Sequence, residues 1–474
     1  MAHSVTVSPA VARSLTHAAP RSFWLDQPDA PEPMPALAGH VTADLAIVGG
    51  GFTGLWTALL ARERDPSVDV VLLEARTAGW AASGRNGGFC SASLTHGLAN
   101  GLERFPAEMP LLQRLGAENL HEIGETVARY GIDCDFSLTG ELALATAPWQ
   151  LEGLAEEAAA ARAFGHEVEV LDAVAARREL DSPLFAGGLR YAGGNAMVEP
   201  GRLAWGLRRA CLEAGVRIYE NTPARSLAPA GAGLSLATPY GSVRAGRVVL
   251  GTGAFRPLLR RIGNYVIPVW DYALMTEPLT AAQLASLGWN DRRGASDLGN
   301  QFHYFRLTRD NRILWGGYDA VYYNGGQIHE EQAQRPRTFA KLAEHFFATF
   351  PQLADGGVSF SHAWGGVIDT CTRFCPFFGT AYRGRLAYAA GYTGLGVGAT
   401  RFAAQVLLDV LEKSDSERTR LTLVTSKPLP FPPEPLRSAV VQLTRASLAR
   451  ADRNEGRRDA WLRLLDRLGL GFDS

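Results

Sequence analysis

The first stretch with a readable hydrophobic pattern runs from Asp44 to Glu74. Asp44-Leu-Ala-Ile-Val48 is a short apolar run closed by Gly49-Gly-Gly51, and it predicts a buried parallel strand. Gly54 to Arg64 carries helix-forming residues and stops before Pro66, and Val70 to Leu73 is a second apolar strand ending at Glu74. Strand, glycine turn, helix and strand make a βαβ unit. Further on, Leu203, Leu207, Ala210, Cys211 and Ala214 recur at helical spacing behind Pro200, a suitable helix-opening residue, which makes Cys211 a core position. Val243 to Leu250 reads as another strand, ending in Gly251-Thr-Gly253. Between residues 265 and 330, aromatic and β-branched residues come in runs such as Gln301 to Leu307 and Arg312 to Trp315, predicting antiparallel sheet rather than more βαβ units. Thr338 to Phe350 is an amphipathic helix stopped by Pro351; Leu386 to Ala390 is a last apolar strand before Gly391-Tyr-Thr-Gly-Leu-Gly-Val-Gly398 and a helix to about Glu412. The ends lack this regularity. Residues 1–40 read as an extended arm, and Lys427 to Pro435 as a proline-rich linker to a solvated, arginine-bearing helical tail.

Composition narrows the classes. The 474 residues give a prior of about three folding units, or two large interleaved ones. With 47 basic and 48 acidic side chains, the chain lacks the basic excess of a nucleic-acid or anionic-membrane binder, so small molecules are the expected partners. The 51 glycines are about 11% of the chain against an average near 7%, and they cluster at a few points, as where backbone approaches a ligand closely. Five scattered cysteines (Cys90, Cys134, Cys211, Cys371 and Cys375) are poor material for a disulfide framework and have no zinc-site spacing, so no metal is expected. The N-terminal residues show no secretory pattern, and Leu45 to Ala61 is too short and glycine-interrupted to span a bilayer. A soluble, cytoplasmic protein is the expectation.

Gly49-Gly-Gly51-Phe-Thr-Gly54 matches GxGxxG directly after a strand and at the opening of a helix. The first glycine permits the tight turn, the second lets a pyrophosphate approach, and the third allows close helix–strand packing. Glu74 follows about 20 residues later, at the end of the second strand, where an acid hydrogen-bonds an adenosine ribose and repels a 2′-phosphate. Two more glycine clusters, Ala82-Ser-Gly-Arg85-Asn86-Gly-Gly88-Phe89 and Gly391 to Gly398, suit a longer ligand than a nicotinamide dinucleotide. Adenosine and pyrophosphate would lie at the first cluster and a flavin at the other two, which makes FAD the expected cofactor.

These motifs together resemble FAD-dependent oxidoreductases of the D-amino-acid oxidase, glycine oxidase and sarcosine oxidase type, most nearly the γ-glutamylputrescine oxidoreductase branch. Arg244 to Gly253, Trp364-Gly-Gly366 and Gly391-Tyr-Thr-Gly-Leu-Gly396 match in the same order, so the resemblance covers roughly residues 20–412. It implies an α/β fold, α+β overall: a Rossmann-like FAD-binding domain of discontinuous segments (41–125, 186–264 and 361–425) and an antiparallel-sheet substrate domain (126–185 and 265–360), followed by the tail (426–474). It also implies oxidation of a C–N bond in a small amine or amino acid. The implied cofactor contacts are Gly49, Gly51, Phe52, Thr53 and Gly54 at the pyrophosphate; Glu74, with Ala75 and Arg76 beside it, at the ribose; and Ser83, Arg85, Asn86, Gly87 and Gly88 in the loop toward the ring. Ala224 near adenine, Gly253 at the end of its strand, and Gly394, Leu395, Gly396 and Val397 near the flavin carbonyl edge complete the set. Arg373 stands where such proteins often have an acid after Trp-Gly-Gly.

On the substrate side, Tyr304 and Arg306 share a face if Gln301 to Leu307 is a strand, and Arg306 is the candidate clamp for an anionic substrate group. The competing reading pairs Arg306 with a surface acid. His96 is a candidate near the ring, against a structural hydrogen-bonding role. Trp270, Tyr272, Tyr318, Tyr322 and Tyr323 are candidate pocket aromatics that read equally as core. Cys371 and Cys375 are candidates for a cysteinyl flavin link, with inert buried thiols as the alternative. Oxygen, or a quinone or protein acceptor, would reoxidise the flavin. An NAD-linked or monooxygenase-type enzyme and a non-catalytic flavoprotein subunit remain alternative readings.

Overall fold

A computed structural model describes the chain from Ser8 to Leu470. The βαβ unit forms as the apolar pattern requires: strand Gly39–Val48, helix Phe52–Arg64 and strand Val70–Leu73, with the paired strand segments fully buried. They sit in an eight-stranded sheet in which Gly39–Val48 lies between Gly241–Leu250 and Val70–Leu73, with Arg217–Tyr219 beyond. All these pairings are parallel, and Leu250, Val48 and Leu73 are level across the sheet. The strands therefore end together, bringing Gly251, Gly49 and Glu74 to one carboxyl edge, where α/β sheets bind ligands. Leu386–Ala390 adds a further parallel strand beside Gly241–Leu250 and delivers the Gly391 cluster to the same edge.

The second eight-stranded sheet runs Phe360–Thr370, Ile267–Thr276, Ile313–Gly317, His303–Leu307, Gly294–Asp297, Glu141–Ala145, Gly187–Tyr191 and Val168–Asp172. Every pairing is antiparallel except Gly294–Asp297 with Glu141–Ala145. One face is closed by helix Pro336–Thr349, whose Phe339, Leu342 and Phe346 pack with Phe305, Trp315 and Phe350. The other face turns toward the glycine edge of the first sheet.

Three sequence expectations need correction. Boundaries at 186 and 361 assign Gly187–Tyr191 and nearly all of Phe360–Thr370 to the cofactor domain, whereas backbone hydrogen bonds place both strands in the second sheet. Residues 1–40 are not a plain arm: Pro9–Ser14 and Phe23–Leu25 are helical, and Trp24 is 2% exposed, wedged behind the second glycine cluster. The tail, read as a solvated packing helix, is helical over Leu436–Arg453 and Ala460–Arg467, but it also forms part of a cavity wall. Its anchor is Asp452, which accepts hydrogen bonds from the backbone N–H groups of Asn300 and Gln301 and from the Asn300 side chain, at 2.6–3.0 Å. No helix among the described residues is long and apolar enough to cross a membrane.

Asp452→Ala removes all three bonds at about 1 kcal/mol each. Limited proteolysis should cut the tail earlier in the variant while the remaining fragment keeps its unfolding midpoint. An unchanged cleavage rate would show that other contacts hold the tail.

Candidate active site

A cavity of about 1510 Å³ runs between the two sheets, larger than the roughly 300–1,000 Å³ of ordinary small-molecule pockets. Its first part is the glycine edge. Gly49 has φ +108°, and a Cβ there would lie 2.4 Å from the Gly251 carbonyl oxygen. A Cβ on Gly54 would lie 1.9 Å from the Gly49 oxygen, so this glycine serves helix–strand packing and is not on the wall. Glu74 is buried, and its carboxylate accepts from the N–H of Gly50 (2.6 Å), the N–H of Arg76 (2.9 Å) and the Trp80 indole (2.8 Å). Burial raises its pKa and those bonds oppose the rise. One carboxylate thus shapes the turn while lining the cavity beside Ala75 and Ala224.

The second cluster is held from both sides. The Ser83 hydroxyl accepts from Phe52 N–H at 2.9 Å, tying it to the first sheet's helix. Trp364 donates its indole N–H to the Arg85 carbonyl (2.9 Å), Trp24 to the Asn86 carbonyl (2.8 Å), and the Arg85 guanidinium to the Gly365 carbonyl (3.1 Å). The Asn86 side chain donates to the Ala82 and Ser83 carbonyls and accepts from Gly88 N–H, so it braces its own loop. In the third cluster the buried Asp369 carboxylate accepts from Gly391 N–H at 2.7 Å, and burial pushes its pKa up to about 6. Asp369 follows Trp364-Gly-Gly366 on the same strand, so an acid is present after that motif. Arg373 instead donates to the carbonyls of Leu423 and Pro376, anchoring the segment before the tail.

Gly49, Gly51, Phe52, Thr53, Glu74, Ala75, Ser83, Arg85, Asn86, Gly87, Ala224, Gly253 and Gly394 to Val397 all line this one cavity, as do Tyr304 and His96. Gly88, Arg76 and Arg306 do not. Gly88 has φ +80° and packs on the Val198 carbonyl; Arg76 pairs with Glu330 outside the wall. Arg306 does share a face with Tyr304, since strand alternation points both at the second glycine cluster. It is 1% exposed, donates to the Val198 carbonyl at 2.6 Å, and lies against Trp24 and Gly88. The expected anion clamp is therefore a buried brace under the loop, and Asp135 at 3.7 Å is its nearest acid.

What Tyr304 meets instead is Asp271, absent from the sequence-based candidates. Its carboxylate accepts from the Tyr304 hydroxyl at 2.6 Å, both groups line the cavity, and burial pushes the Asp271 pKa up to about 6. Asp271 pairs across the strands with Gly366, whose Cα side faces Arg85, and the Tyr304 ring covers Gly87. The pair thus stands directly against the Arg85–Gly87 loop. Of the aromatic candidates, Tyr272, Tyr318 and Tyr322 reach the wall; Trp270 and Tyr323 are not on it. Burial lowers the His96 pKa, which favours its neutral form. Cys371 is on the wall, but its thiol donates to the Cys375 and Gly391 carbonyls, and burial raises the pKa of both cysteines. No cluster of metal ligands occurs among the described residues.

The donor set fits a flavin dinucleotide. A Cβ on Gly51 would already lie 2.9 Å from the Ser83 hydroxyl, so the turn is cut for backbone approach, and the same cavity continues past the loop and the third cluster. Comparison with known proteins agrees. The profile of the family described as DAO, FAD dependent oxidoreductase, matches residues 44–410. γ-Glutamylputrescine oxidoreductase of Escherichia coli is 32% identical over 398 residues, covering 81% of this chain and 87% of its own. A probable oxidoreductase, OrdL, of Haemophilus influenzae is 27% identical over 406 residues, covering 84% and 89%. Among solved structures, glycine oxidase from Geobacillus kaustophilus superposes with a TM-score of 0.66 at 23% identity, covering 80% of this chain and 96% of that one.

Gly51→Val should leave the protein colourless after gel filtration, because the side chain takes the pyrophosphate's space. A yellow variant would move the binding turn elsewhere. Glu74→Ala should weaken FAD in an apoprotein titration by about 1.5–3 kcal/mol, the value of a hydrogen bond to a charged group.

Proposed function

This chain belongs to the DAO family of FAD-dependent oxidoreductases, and from that premise we propose that it oxidises a C–N bond in an amine to an imine, which water then splits into a carbonyl product and a released amine. The observation that carries the proposal is the continuity of the cavity from the dinucleotide turn to the Asp271–Tyr304 pair. When bound, FAD would accept a hydride from the substrate carbon; Gly49 to Thr53, Glu74, Ser83, Arg85, Gly87 and Gly394 to Val397 would hold it. Asp271 supplies what an amine needs from the opposite wall. As a carboxylate it accepts N–H hydrogen bonds and takes a proton from a substrate ammonium, leaving the nitrogen lone pair free to assist oxidation. The Tyr304 hydroxyl and the Tyr272 and Gly317 backbone fix the orientation of this carboxylate on the cavity wall. The apolar walls exclude water, which further favours neutral amine. Oxygen or a quinone or protein acceptor would then collect the electrons.

Anaerobic mixing with primary and secondary amines should bleach the flavin absorbance; bleaching by alcohols or thiols alone would overturn the reading. The bleaching rate at low substrate should rise with pH through about 6, as Asp271 loses its proton. Tyr304→Phe removes a bond that lowers the Asp271 pKa, so the acid limb should move to higher pH. Asp271→Asn should lose the limb and slow bleaching by about 10²-fold or more.

A further inference from the structure

The acids on the cavity wall fall into two kinds. Glu74, Asp297 and Asp369 hold backbone N–H groups and shape turns. Glu141, Glu156 and Glu157 do not; Asp271 does accept from the Tyr272 and Gly317 backbone, but no Arg, Lys or His among the described residues forms an ion pair with any of these four. The wall's arginines do not answer that charge. Arg85 is tied to the Trp80 and Gly365 carbonyls, Arg445 leans on Ala320 and Asp319, and Arg256 follows Gly253 at the dinucleotide end. Burial lowers the His96 and His166 pKa values, so both favour the neutral form.

Strand register relates the two poles. Ala273, Gly316, Tyr304, Ser296 and Ala143 are successive cross-strand partners in one row, so they share a face of the second sheet. Asp271 and Glu141 each lie two residues along their strands from that row, and so share the face as well. Glu141 is held ready by the Asn195 amide and the Ser296 hydroxyl (3.2 Å), and Glu157 beside it by the Tyr191 hydroxyl (3.0 Å). The Asp271 and Glu141 strands run in opposite directions, so the two residues lie on opposite sides of that row, and four strand spacings combined with four residues of rise separate their backbones by roughly 23 Å. Allowing for the two side chains and two hydrogen bonds, a chain with nitrogens on the order of 14–19 Å apart bridges them.

Resting on the amine-oxidation reading above, we infer that the substrate is an elongated amine carrying a second ammonium group, with its reacting nitrogen at Asp271–Tyr304 and its distal ammonium at Glu141 and Glu157. The Glu141–Glu157 pair has no cationic partner among the described residues, and a distal ammonium would supply one and hold the carboxylates in their charged form. A substrate carboxylate at that end meets the same carboxylates and is rejected. The buried brace role of Arg306 leaves no cationic clamp beside the reacting nitrogen, so an α-carboxylate has no partner there.

The test uses the FAD-loaded protein and four probes: α,ω-diaminododecane, diaminobutane, aminododecane and ω-aminododecanoate. Calorimetric binding to the oxidised protein and anaerobic bleaching are both read. Diaminododecane should bind at least ten-fold more tightly than aminododecane, and ω-aminododecanoate more weakly than either; diaminobutane is too short to gain from the distal pair. In Glu141→Gln, which keeps the side-chain shape, the diamine-to-monoamine ratio should fall toward one, and Glu141→Asp should retain part of it. Equal affinity for diamine and monoamine in the unmodified protein, or an unchanged ratio in Glu141→Gln, overturns the inference. Should Glu141→Gln fail to fold, the four-probe comparison decides alone. Bleaching by amines without a diamine preference defeats only this inference, whereas no bleaching by any amine defeats the proposed function with it.

Discussion

The segment Ala82–Gly88 is bonded to both sheets at once, and the rest of the site depends on that. Ser83 joins it to the helix of the βαβ unit, while the Trp24 and Trp364 indoles and the Arg85 guanidinium join it to the N-terminal segment and the second sheet. Its glycines are required by contact. A side chain on Gly84 would strike the Gly79 carbonyl, on Gly87 the Tyr304 ring, and on Gly88 the Val198 carbonyl. With bulk excluded and carbonyls pinned, the loop presents backbone to the cavity and fixes the spacing between the dinucleotide turn and the Asp271–Tyr304 wall.

Charge is distributed around that seam by function. Two carboxylates, Glu74 and Asp369, order the first and third glycine clusters through backbone N–H groups, so their charge is taken up in holding the turns. Arg306 braces the seam from beneath. Past the seam, Asp271 and Glu141 line the cavity with hydrogen-bond donors but no cationic partner, and burial raises both pKa values, to about 6 and about 7. Uncompensated acids in a water-poor cavity favour a cationic guest over an anionic one.

The βαβ unit was legible because a short parallel strand is apolar throughout and a GxGxxG turn leaves a mark that needs no partner. Val70–Leu73 and Leu386–Ala390 form at the residues expected, and Phe52–Arg64 starts two residues early, inside the turn. Alternation in the strand containing Tyr304 and Arg306 told correctly that they share a face. It carried nothing about which part of that face is open, because Trp24, Gly88 and Val198, distant in sequence, cover Arg306. Asp271 was hidden among the aromatic candidates on either side of it. Its pairing with Tyr304 and its shared face with Glu141 exist only once the strand order is known. Asp369 had a weak signal, an acid three residues after Trp364-Gly-Gly366, which Arg373 drew attention away from. Trp24 had none, since a lone tryptophan in a proline-rich stretch shows no periodicity.

The flavin ring is proposed to lie in the cavity bordered by the Ser83–Gly88 loop, with the Asp271–Tyr304 pair on the adjoining wall. A crystal structure of the FAD-loaded protein with a non-reacting amine bound tests it most directly. The ring should border Arg85–Gly87, with the amine nitrogen between it and the Asp271 carboxylate. A ring placed elsewhere, or a ligand reaching Arg306 through a displaced loop, would contradict it.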